Sequence, residues 1–177
     1  LDDSMHLLEL MGVPFIIAPS EGEAQAAHMA RRGDADHVGS QDYDTLVFGS
    51  PNVVRNLAIT GKRKLPKRKV YVDVKPELIE LESELERLGL TREQLVDIAI
   101  LVGTDYNAGI KGIGPKKAYR LVKKGDDLFS ILDALGEHID NAREIRELFL
   151  NPEVTDDYEI VWRPPDRAVS YTHLKLP

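Results

Sequence analysis

The apolar residues of this chain follow two different patterns on either side of Pro76. Before that proline, short continuous apolar runs such as residues 14–18 (PFIIA) end at turn-forming residues, which is typical of buried strands. After it, apolar residues recur at helical spacing as far as residue 150. Strands that alternate with helices, followed by helices alone, predict an α/β core with an appended helical region.

Capping residues and turn residues locate the expected elements more closely. In the first part we predict a helix at residues 1–11, a strand at 14–18, and a helix capped by Ser20 that runs to Arg32 and ends at Gly33. These are followed by a strand at 36–40 with its exit at 45–48, a hairpin at 53–64 centred on Thr60 and Gly61, and a strand near 69–74. In the second part we predict a helix with Pro76 in its first turn that ends near Gly89, a helix at 92–102 opened by a Thr91–Gln94 capping box, and helices at 115–123 and 141–150.

The composition argues for a globular chain without a membrane span. A length of 177 residues with 42% apolar content can bury one sizeable core. The apolar runs are far shorter than the roughly 20 residues that cross a bilayer, and the chain has no cysteine and no secretory leader. We therefore expect a soluble intracellular protein.

Positive charge is concentrated in two short stretches, although the net charge is −7. Residues 61–69 (GKRKLPKRK) and residues 111–124 (KGIGPKKAYRLVKK) hold twelve of the 23 Lys and Arg. Nucleic-acid binding needs such local positive potential. A solvated charged face explains either stretch alone equally well.

Acidic residues follow predicted core elements at three places. In an open α/β sheet, ligands bind at the carboxyl ends of the strands. The acids are Glu21 and Glu23 in PSEGEA, Asp42 and Asp44 in QDYD, and Asp105 in GTDYN. On an extended backbone Asp42 and Asp44 would point to the same side. Each place also has a purely structural explanation, namely a Ser20–Glu23 capping box, local turns made by aspartates, and a helix-ending role for Asp105.

Five carboxylates from three separated segments suit a hard divalent cation. Mg²⁺ takes oxygen ligands and keeps several waters. Two such ions about 4 Å apart can activate water and stabilise the leaving oxygen in phosphodiester cleavage. We therefore predict that the five acids converge on one site.

A glycine-rich turn with basic flanks lies at residues 107–124 (NAGIKGIGPKKAYRLVKK) between two predicted helices. Its glycines permit a tight backbone whose amide groups can approach a phosphate. Counter-charge without base-edge chemistry comes from Lys111, Lys116, Lys117, Arg120, Lys123 and Lys124. This pattern predicts contact with a DNA backbone that is insensitive to sequence. A plain helix connection with a solvated lysine face is the alternative.

Four ordered motifs resemble the archaeal and eukaryotic flap endonucleases, within the wider family of the xeroderma pigmentosum group G nuclease and exonuclease 1. They are APSEGEAQA at residues 18–26, QDYDTLVFG at 41–49, AILVGTDYN at 99–107 and GIKGIG at 109–114. The resemblance runs from about residue 5 to residue 166. It implies a partial PIN-like α/β nuclease core at residues 1–75, a helical region with a helix-hairpin-helix motif at 76–166, and an atypical tail at 167–177.

The resemblance also implies the roles of individual residues. It makes Glu21, Glu23, Asp42, Asp44 and Asp105 the catalytic metal ligands, with Glu23 bridging two Mg²⁺ ions. It places DNA near Glu21, Gly103, Asp105, Lys111, Gly112, Gly114, Lys116 and Lys117, and it allows a K⁺ ion on the backbone carbonyls of the hairpin. Members of the family cut 5′ flaps of branched DNA in replication and base-excision repair, and a sliding clamp is their partner.

Both ends of the chain depart from the family pattern. The family has a longer N-terminal region with two further metal aspartates and a DNA-clasping helical arch, and Leu1 is not an initiator methionine. We therefore expect the chain to start inside a domain and to cleave little or not at all by itself. The clamp-binding peptide of the family has no match, and residues 168–177 (AVSYTHLKLP) do not fit the expected continuation. Our hypothesis for these residues is extraneous or frame-shifted sequence.

Two other functions remain open at this point. The chain can be a non-catalytic duplex-binding module built on the helix-hairpin-helix, with acids that are only structural. It can also belong to a related 5′ to 3′ exonuclease of the same superfamily.

Overall fold

The computed structural model describes residues 2–58, 61–64 and 71–166. The chain divides into two compact units, Ser20–Val154 and a second unit made of Leu1–Pro19 with Thr155–Pro177. The unit Ser20–Val154 includes both sides of the domain boundary that the sequence suggests at residues 75 and 76. That boundary stays a prediction.

The second unit contains helix α1 (Asp2–Leu10), as predicted from the amphipathic pattern. A late segment of the chain runs beside it, because the amide of Arg163 donates to the carbonyl of Gly12 (3.0 Å) and the amide of Asp166 donates to that of Leu10 (2.8 Å). The prediction of a strand at residues 14–18 is wrong: this segment has no strand partner among the described residues, and Ile17 is 64% exposed. A continuous apolar run does not by itself supply the neighbour with which a strand must pair.

The unit Ser20–Val154 contains all the strands of the described chain. They are β1 (Val38–Gly39), β2 (Asn52–Arg55), β3 (Lys62–Lys64), β4 (Tyr71–Asp73) and β5 (Glu77–Glu80). One sheet has the order β1-β2-β5, with β1 and β2 parallel and β2 and β5 antiparallel. Strands β3 and β4 form a separate antiparallel pair.

The predicted hairpin at residues 53–64 does not form, because β3 pairs with β4 and not with β2. Strand β2 is central in its sheet, with Val53 opposite both Val38 and Ile79 and fully buried. A central, apolar strand takes apolar neighbours, and the basic segment KRK cannot fill that place without burying charge. Thr60, at the centre of the predicted hairpin, lies outside the described residues.

The helices of the same unit are α2 (Gly22–Arg32), α3 (Asp44–Val47), α4 (Leu81–Leu88), α5 (Arg92–Val102), α6 (Pro115–Val122), α7 (Leu128–Leu135) and α8 (Ala142–Leu150). The capping box is confirmed in both directions: Gln94 N donates to Thr91 Oγ1 (3.3 Å), and Thr91 N donates to Gln94 Oε1 (3.0 Å). The predicted ends at Gly33 and Gly89 are also confirmed.

Two helix predictions and one strand prediction need correction. Helix α2 begins after Glu21, so Ser20 is not its cap. Residues 44–47 form helix α3 where a strand exit was expected. Pro76 precedes strand β5 and not a helix, because the leucine of β5 pairs with β2 before the chain turns into α4.

Helix α7 was not predicted from the sequence. Its cap is Asp127, whose carboxylate accepts from the amides of Phe129 (2.9 Å) and Ser130 (3.2 Å). The aspartate before an apolar helical repeat, with Gly136 at the end, was a readable signal.

Helix α5 is the centre of the main core. Its Val96, Ile100 and Leu101 are fully buried, and it packs against α3, α6 and α8. The buried Asp97 accepts from Arg146 Nε of α8 at 2.7 Å. Burial raises the pKa of Asp97, while the Arg146 bond opposes that rise. None of the helices in the described part of the chain has the length and apolar character needed to cross a bilayer.

Candidate metal and nucleic-acid site

The structure brings the five predicted acids into one region, which we call the acidic cluster. Glu21 and Glu23 lie at the start of α2, Asp42 and Asp44 at the start of α3, and Asp105 in the turn after α5. Helix α3 packs against both α2 and α5, which sets these three helix ends side by side. Partial burial first, and then the charges of Asp42, Asp105, Glu23 and Glu21, raise the pKa of Asp44 to about 6.

Asp42 and Asp44 meet through a tight turn and not along an extended strand as expected. The amide of Asp44 donates to Asp42 Oδ1 (3.0 Å), and the amide of Asp42 donates to Ser40 Oγ (3.1 Å). Asp42 therefore has the local turn role that the structural explanation of this motif predicts. The same turn keeps the two carboxylates close together.

Arg55, at the end of β2, holds this turn from the side. Its guanidinium lies over the ring of Tyr43 at 4.0 Å, bonds the hydroxyl of Tyr43, and donates to the carbonyl of Gln41 at 3.1 Å. Sequence reasoning missed Arg55, because nothing in the run NVVR links it to a turn twelve residues earlier.

The capping-box explanation for Glu23 fails. Helix α2 has no side-chain capping bond at its start, so a Ser20–Glu23 capping box is absent from the described structure. Glu23 is half-buried in the first turn of α2, where a negative charge favours the positive end of the helix dipole.

The turn that carries Asp105 is closed by its neighbours. Thr104 and Asn107 exchange backbone hydrogen bonds (3.0 and 3.2 Å), and the amide of Tyr106 donates to Thr104 Oγ1 (3.1 Å). Asn107 Nδ2 anchors the turn to the carbonyl of Ile100 at 2.8 Å. These bonds leave Asp105 and Tyr106 exposed on the side of the acidic cluster.

Tyr106 connects two segments of the cluster directly. Its hydroxyl donates to Glu21 Oε1 at 2.6 Å, across 85 positions of sequence. Burial first, then the hydrogen bond to Glu21 and nearby negative charge, raise the pKa of Tyr106 above its usual range. The phenol therefore remains a protonated donor.

An aromatic stack lies beneath the cluster. The Tyr106 ring meets the Phe149 ring edge-on (centroids 5.7 Å apart, planes at 78°), and Phe149 packs on Phe48 at 4.8 Å. Phe149 belongs to α8 and is fully buried, and Phe48 caps the end of α3. The stack thus joins the Asp105 turn to the helix that begins with Asp44.

Two arginines fix the backbone around this stack. Arg92 donates to the carbonyls of Phe48 (3.0 Å) and Phe149 (2.6 Å), and Arg31 donates to that of Phe48 (2.6 Å). Cations at helix C-termini are stabilising. Burial lowers the pKa of Arg92, and the charge of Arg31 adds to that lowering.

The donor set of the cluster fits a hard, hydrated cation. All five side chains supply oxygen, and their mutual repulsion is what a positive ion would relieve. Among the described residues, no group of three or more His, Cys, Asp or Glu side chains stands close enough together to hold one metal ion directly. Mg²⁺ keeps several of its waters and so needs few direct protein ligands.

The predicted glycine-rich turn is present between α5 and α6, and we call residues 109–117 the glycine turn. Ile110 and Ile113 are buried and anchor it to the core. Gly109 (φ 68°) passes so close to α5 that a Cβ there would stand 2.2 Å from the carbonyl oxygen of Val102. Gly103, at the start of this connection, ends α5.

The outer side of the glycine turn is open to solvent. Gly112 has a φ of 82° with nothing near the Cβ position, and Gly114 caps α6 ahead of Pro115. The residues expected to contact DNA here are all exposed, namely Lys111, Gly112, Gly114, Lys116 and Lys117.

Lys123 has a different role from the one its basic neighbours suggest. Its ammonium group bonds the carbonyls of Leu88 (3.0 Å) and Gly89, and the Tyr119 hydroxyl also donates to Leu88 (2.9 Å). These bonds tie α6 to the end of α4. Lys123 thus stabilises the C-terminal end of α4 by bonding its last carbonyls.

The family model of the XPG I-region matches residues 12–105, more than half of the 177-residue chain. The chain belongs to the XPG I-region family. This match confirms the resemblance for the motifs up to Asp105. It ends at Asp105, so it spans all three segments of the acidic cluster.

Individual members of the XPG I-region group are closely similar. Flap endonuclease 1 of Archaeoglobus fulgidus is 65% identical over 166 residues, which are 94% of this chain and 49% of that relative. The structure of flap endonuclease-1 from Methanococcus jannaschii matches with a TM-score of 0.82 and 44% identity, over 98% of this chain and 50% of that one. The chain therefore spans about half the length of these relatives.

A more distant structure is the catalytic core of Rad2 in complex with DNA substrate, with a TM-score of 0.74 and 26% identity over 99% of this chain and 64% of that one. Together with the mixture of helices and small sheets, these likenesses confirm the α/β fold class with a partial PIN-like nuclease core.

Proposed function

We propose that this chain supplies the acidic cluster and the duplex-binding turn of a structure-specific nuclease that hydrolyses DNA phosphodiester bonds at 5′ flaps. The observation that carries the proposal is the assembly of five carboxylates from three distant segments around Asp44. The close flap endonuclease relatives give the reaction class. The removal of flaps in replication and base-excision repair belongs to the same proposal.

Crowded like charges are the reason to assign a function to this cluster. Acids that only cap helices or close turns need no like-charged neighbours, and such neighbours weaken the fold. Here Asp44 is partly buried beside four other acids. Clusters of this kind concentrate at functional sites.

The acids Glu21, Glu23, Asp42, Asp44 and Asp105 would hold Mg²⁺, with Glu23 between two ions. When bound, such ions stabilise the charge that develops on a phosphate during hydrolysis and promote attack by water. The chain's own part is to fix the spacing of the carboxylates through the α2–α3–α5 packing and the closed turn at Thr104.

The glycine turn would hold the duplex beside that centre. The glycine turn starts four residues after Asp105 in the sequence. A DNA backbone held by Lys116 and Lys117 would therefore lie near the acidic cluster. Gly112 and Gly114 leave room for a phosphate at the exposed backbone, and the hairpin carbonyls could accept K⁺. The lysines recognise phosphate, so recognition depends on DNA shape and not on base sequence.

Calorimetric titration with MgCl₂ tests the metal site in the chain itself. We expect uptake that Asp42→Asn and Asp44→Asn each weaken by about 100-fold, since each removes a ligand charge. Asp133→Asn, at an exposed acid of α7, is the matched control and leaves uptake unchanged. If Asp42→Asn and Asp44→Asn take up Mg²⁺ as well as the unmodified chain does, the non-catalytic duplex-binding module is favoured.

Cleavage is tested after the chain is joined to the part of the Archaeoglobus fulgidus relative that it does not cover. We expect cutting of a 5′-flap substrate and little cutting of a plain duplex of the same sequence. Equal rates on the two substrates would contradict structure specificity. Preference for free duplex ends would favour the related exonuclease.

A further inference from the structure

We infer that Tyr106 is a positioning residue that fixes the Glu21 carboxylate within the acidic cluster. The inference rests on the proposed function for its cation, but the contact that carries it is present in the chain itself. The phenol hydroxyl donates to Glu21 Oε1 at 2.6 Å. A short bond from a neutral donor to a carboxylate is among the stronger hydrogen bonds in proteins.

The need for such a holder follows from where Glu21 lies. It is the residue before α2, so the helix backbone does not constrain its side chain as it does that of Glu23. The like charge of Asp44 repels it. A free glutamate in this position would turn away towards solvent, and the bond to Tyr106 opposes that movement.

Tyr106 is itself held in place from both ends. Its amide bonds Thr104 Oγ1 within the closed turn, and its ring stands edge-on against the fully buried Phe149. An edge-to-face pair of this kind restricts the tilt of the ring. The hydroxyl therefore points at Glu21 from a fixed base in the core.

The bond also affects how Glu21 offers its oxygens to a cation. Oε1 already accepts from the phenol, while Oε2 has no bond to Tyr106. We therefore expect Glu21 to contact a cation mainly through Oε2. A single-oxygen contact leaves room for the waters that Mg²⁺ retains.

The test is a calorimetric titration of the whole chain with MgCl₂, comparing Tyr106→Phe, Glu21→Gln and the double variant. Tyr106→Phe keeps the ring on Phe149 and removes only the hydroxyl. We expect this variant to weaken Mg²⁺ binding roughly tenfold. Without the hydroxyl, the Glu21 side chain is free to move and must lose conformational entropy when it binds the ion. The double variant should be no weaker than Glu21→Gln alone, since the hydroxyl acts only through Glu21.

Tyr71→Phe is the matched control, because Tyr71 is a 60% exposed tyrosine on β4. It should bind Mg²⁺ like the unmodified chain. Unchanged affinity in Tyr106→Phe, or losses that add in the double variant, would overturn the positioning role. Tighter binding in Tyr106→Phe would also overturn it, because the hydroxyl would then compete with the cation for Glu21.

A second measurement separates this inference from the proposed function. In the metal-free chain with ¹³C-labelled glutamate, the Glu21 carboxyl carbon should show a deuterium isotope shift from the phenol that Tyr106→Phe abolishes. Absence of that shift in the unmodified chain overturns the inference, regardless of the result of the Mg²⁺ titration. If the shift is present and no Mg²⁺ is taken up, the holding contact stands and the proposed metal site fails.

Discussion

The acidic cluster and the glycine turn are neighbours along the chain, yet the fold supports them in opposite ways. Three of the acids, Glu21, Glu23 and Asp44, are partly buried among like charges, and the cluster is held by contacts from α8, β2 and the Tyr106 turn. The lysines of the glycine turn are exposed, and Ile110 and Ile113 anchor the backbone beneath them. The first region depends on precise packing, and the second on a backbone shape and a solvated charge.

This difference predicts where substitutions will do harm. In the cluster, damage should come from distant apolar residues that set the spacing. In the glycine turn, damage should come from the surface charges and the turn glycines themselves. The following changes test that contrast.

The largest expected effect is on stability, from Phe149→Ala. Phe149 is fully buried between Phe48 and Tyr106, so the variant loses both ring contacts and leaves a cavity. We expect a loss of about 3–5 kcal/mol in the free energy of unfolding, measured with urea. Phe129→Ala is the control, because that ring is 36% exposed and should cost far less. Similar losses in the two variants would contradict a central role for the stack.

The next effect is on DNA affinity, from the double variant Lys116→Glu/Lys117→Glu. Two reversed charges should weaken binding of a plain duplex roughly 100-fold at low salt and reduce the salt dependence. Fluorescence anisotropy over a series of KCl concentrations measures both. The control Lys75→Glu/Arg143→Glu changes the net charge equally at other exposed sites. If both double variants bind alike, the glycine turn is a solvated face and nothing more.

A smaller effect is expected from Gly112→Ala. Its φ of 82° is unfavourable for any residue with a Cβ, even though the surrounding space is open. The strain should cost about 1–2 kcal/mol in urea unfolding. Gly114→Ala is the matched control, because Gly114 has a φ of −94° in equally open space. Equal stability of the two variants would show that the turn can rearrange.

The smallest effect is a gain in stability from Asp44→Asn. The pKa of Asp44 is raised to about 6 in the folded chain, so the folded state holds its proton more tightly than the unfolded state does. Stability from this group therefore falls as pH rises from about 4 to about 6, and the full cost persists above that window.

At pH 7.5 in the presence of a chelator, Asp44→Asn should thus be more stable than the unmodified chain. The gain is on the order of 1 kcal/mol or less, because the group is partly solvated and its interactions are screened. The difference should vanish near pH 4. A variant that is less stable at pH 7.5 would show that the Asp44 charge is favourable in the fold.

The sequence predicted those parts of the fold that local chemistry determines. The Thr91–Gln94 box, the ends at Gly33 and Gly89 and the turn between α5 and α6 depend on neighbours in sequence. The pairing of β3 with β4 and the strand before α4 depend on which segments compete for the sides of β2. Local patterns carry no information about that competition.

The same limit applies to the site. The five acids could be named because each stands after an apolar segment in a readable motif. The residues that hold the acids in place could not be named, because Arg55, Arg92 and Phe149 contact residues that are 12 to 101 positions away. Tyr106 was visible only as part of the motif GTDYN, and its partner Glu21 lies 85 positions earlier. Contacts of this range follow from the packing of α3, α5 and α8 and not from any short pattern.

The guanidinium of Arg92 donates hydrogen bonds to carbonyls at the ends of two helices, Phe48 at the end of α3 and Phe149 near the end of α8. Movement of α8 therefore cannot leave α3 undisturbed. Because Asp44 lies at the start of α3, a disturbance of α8 reaches the acidic cluster through Arg92 as well as through the aromatic stack.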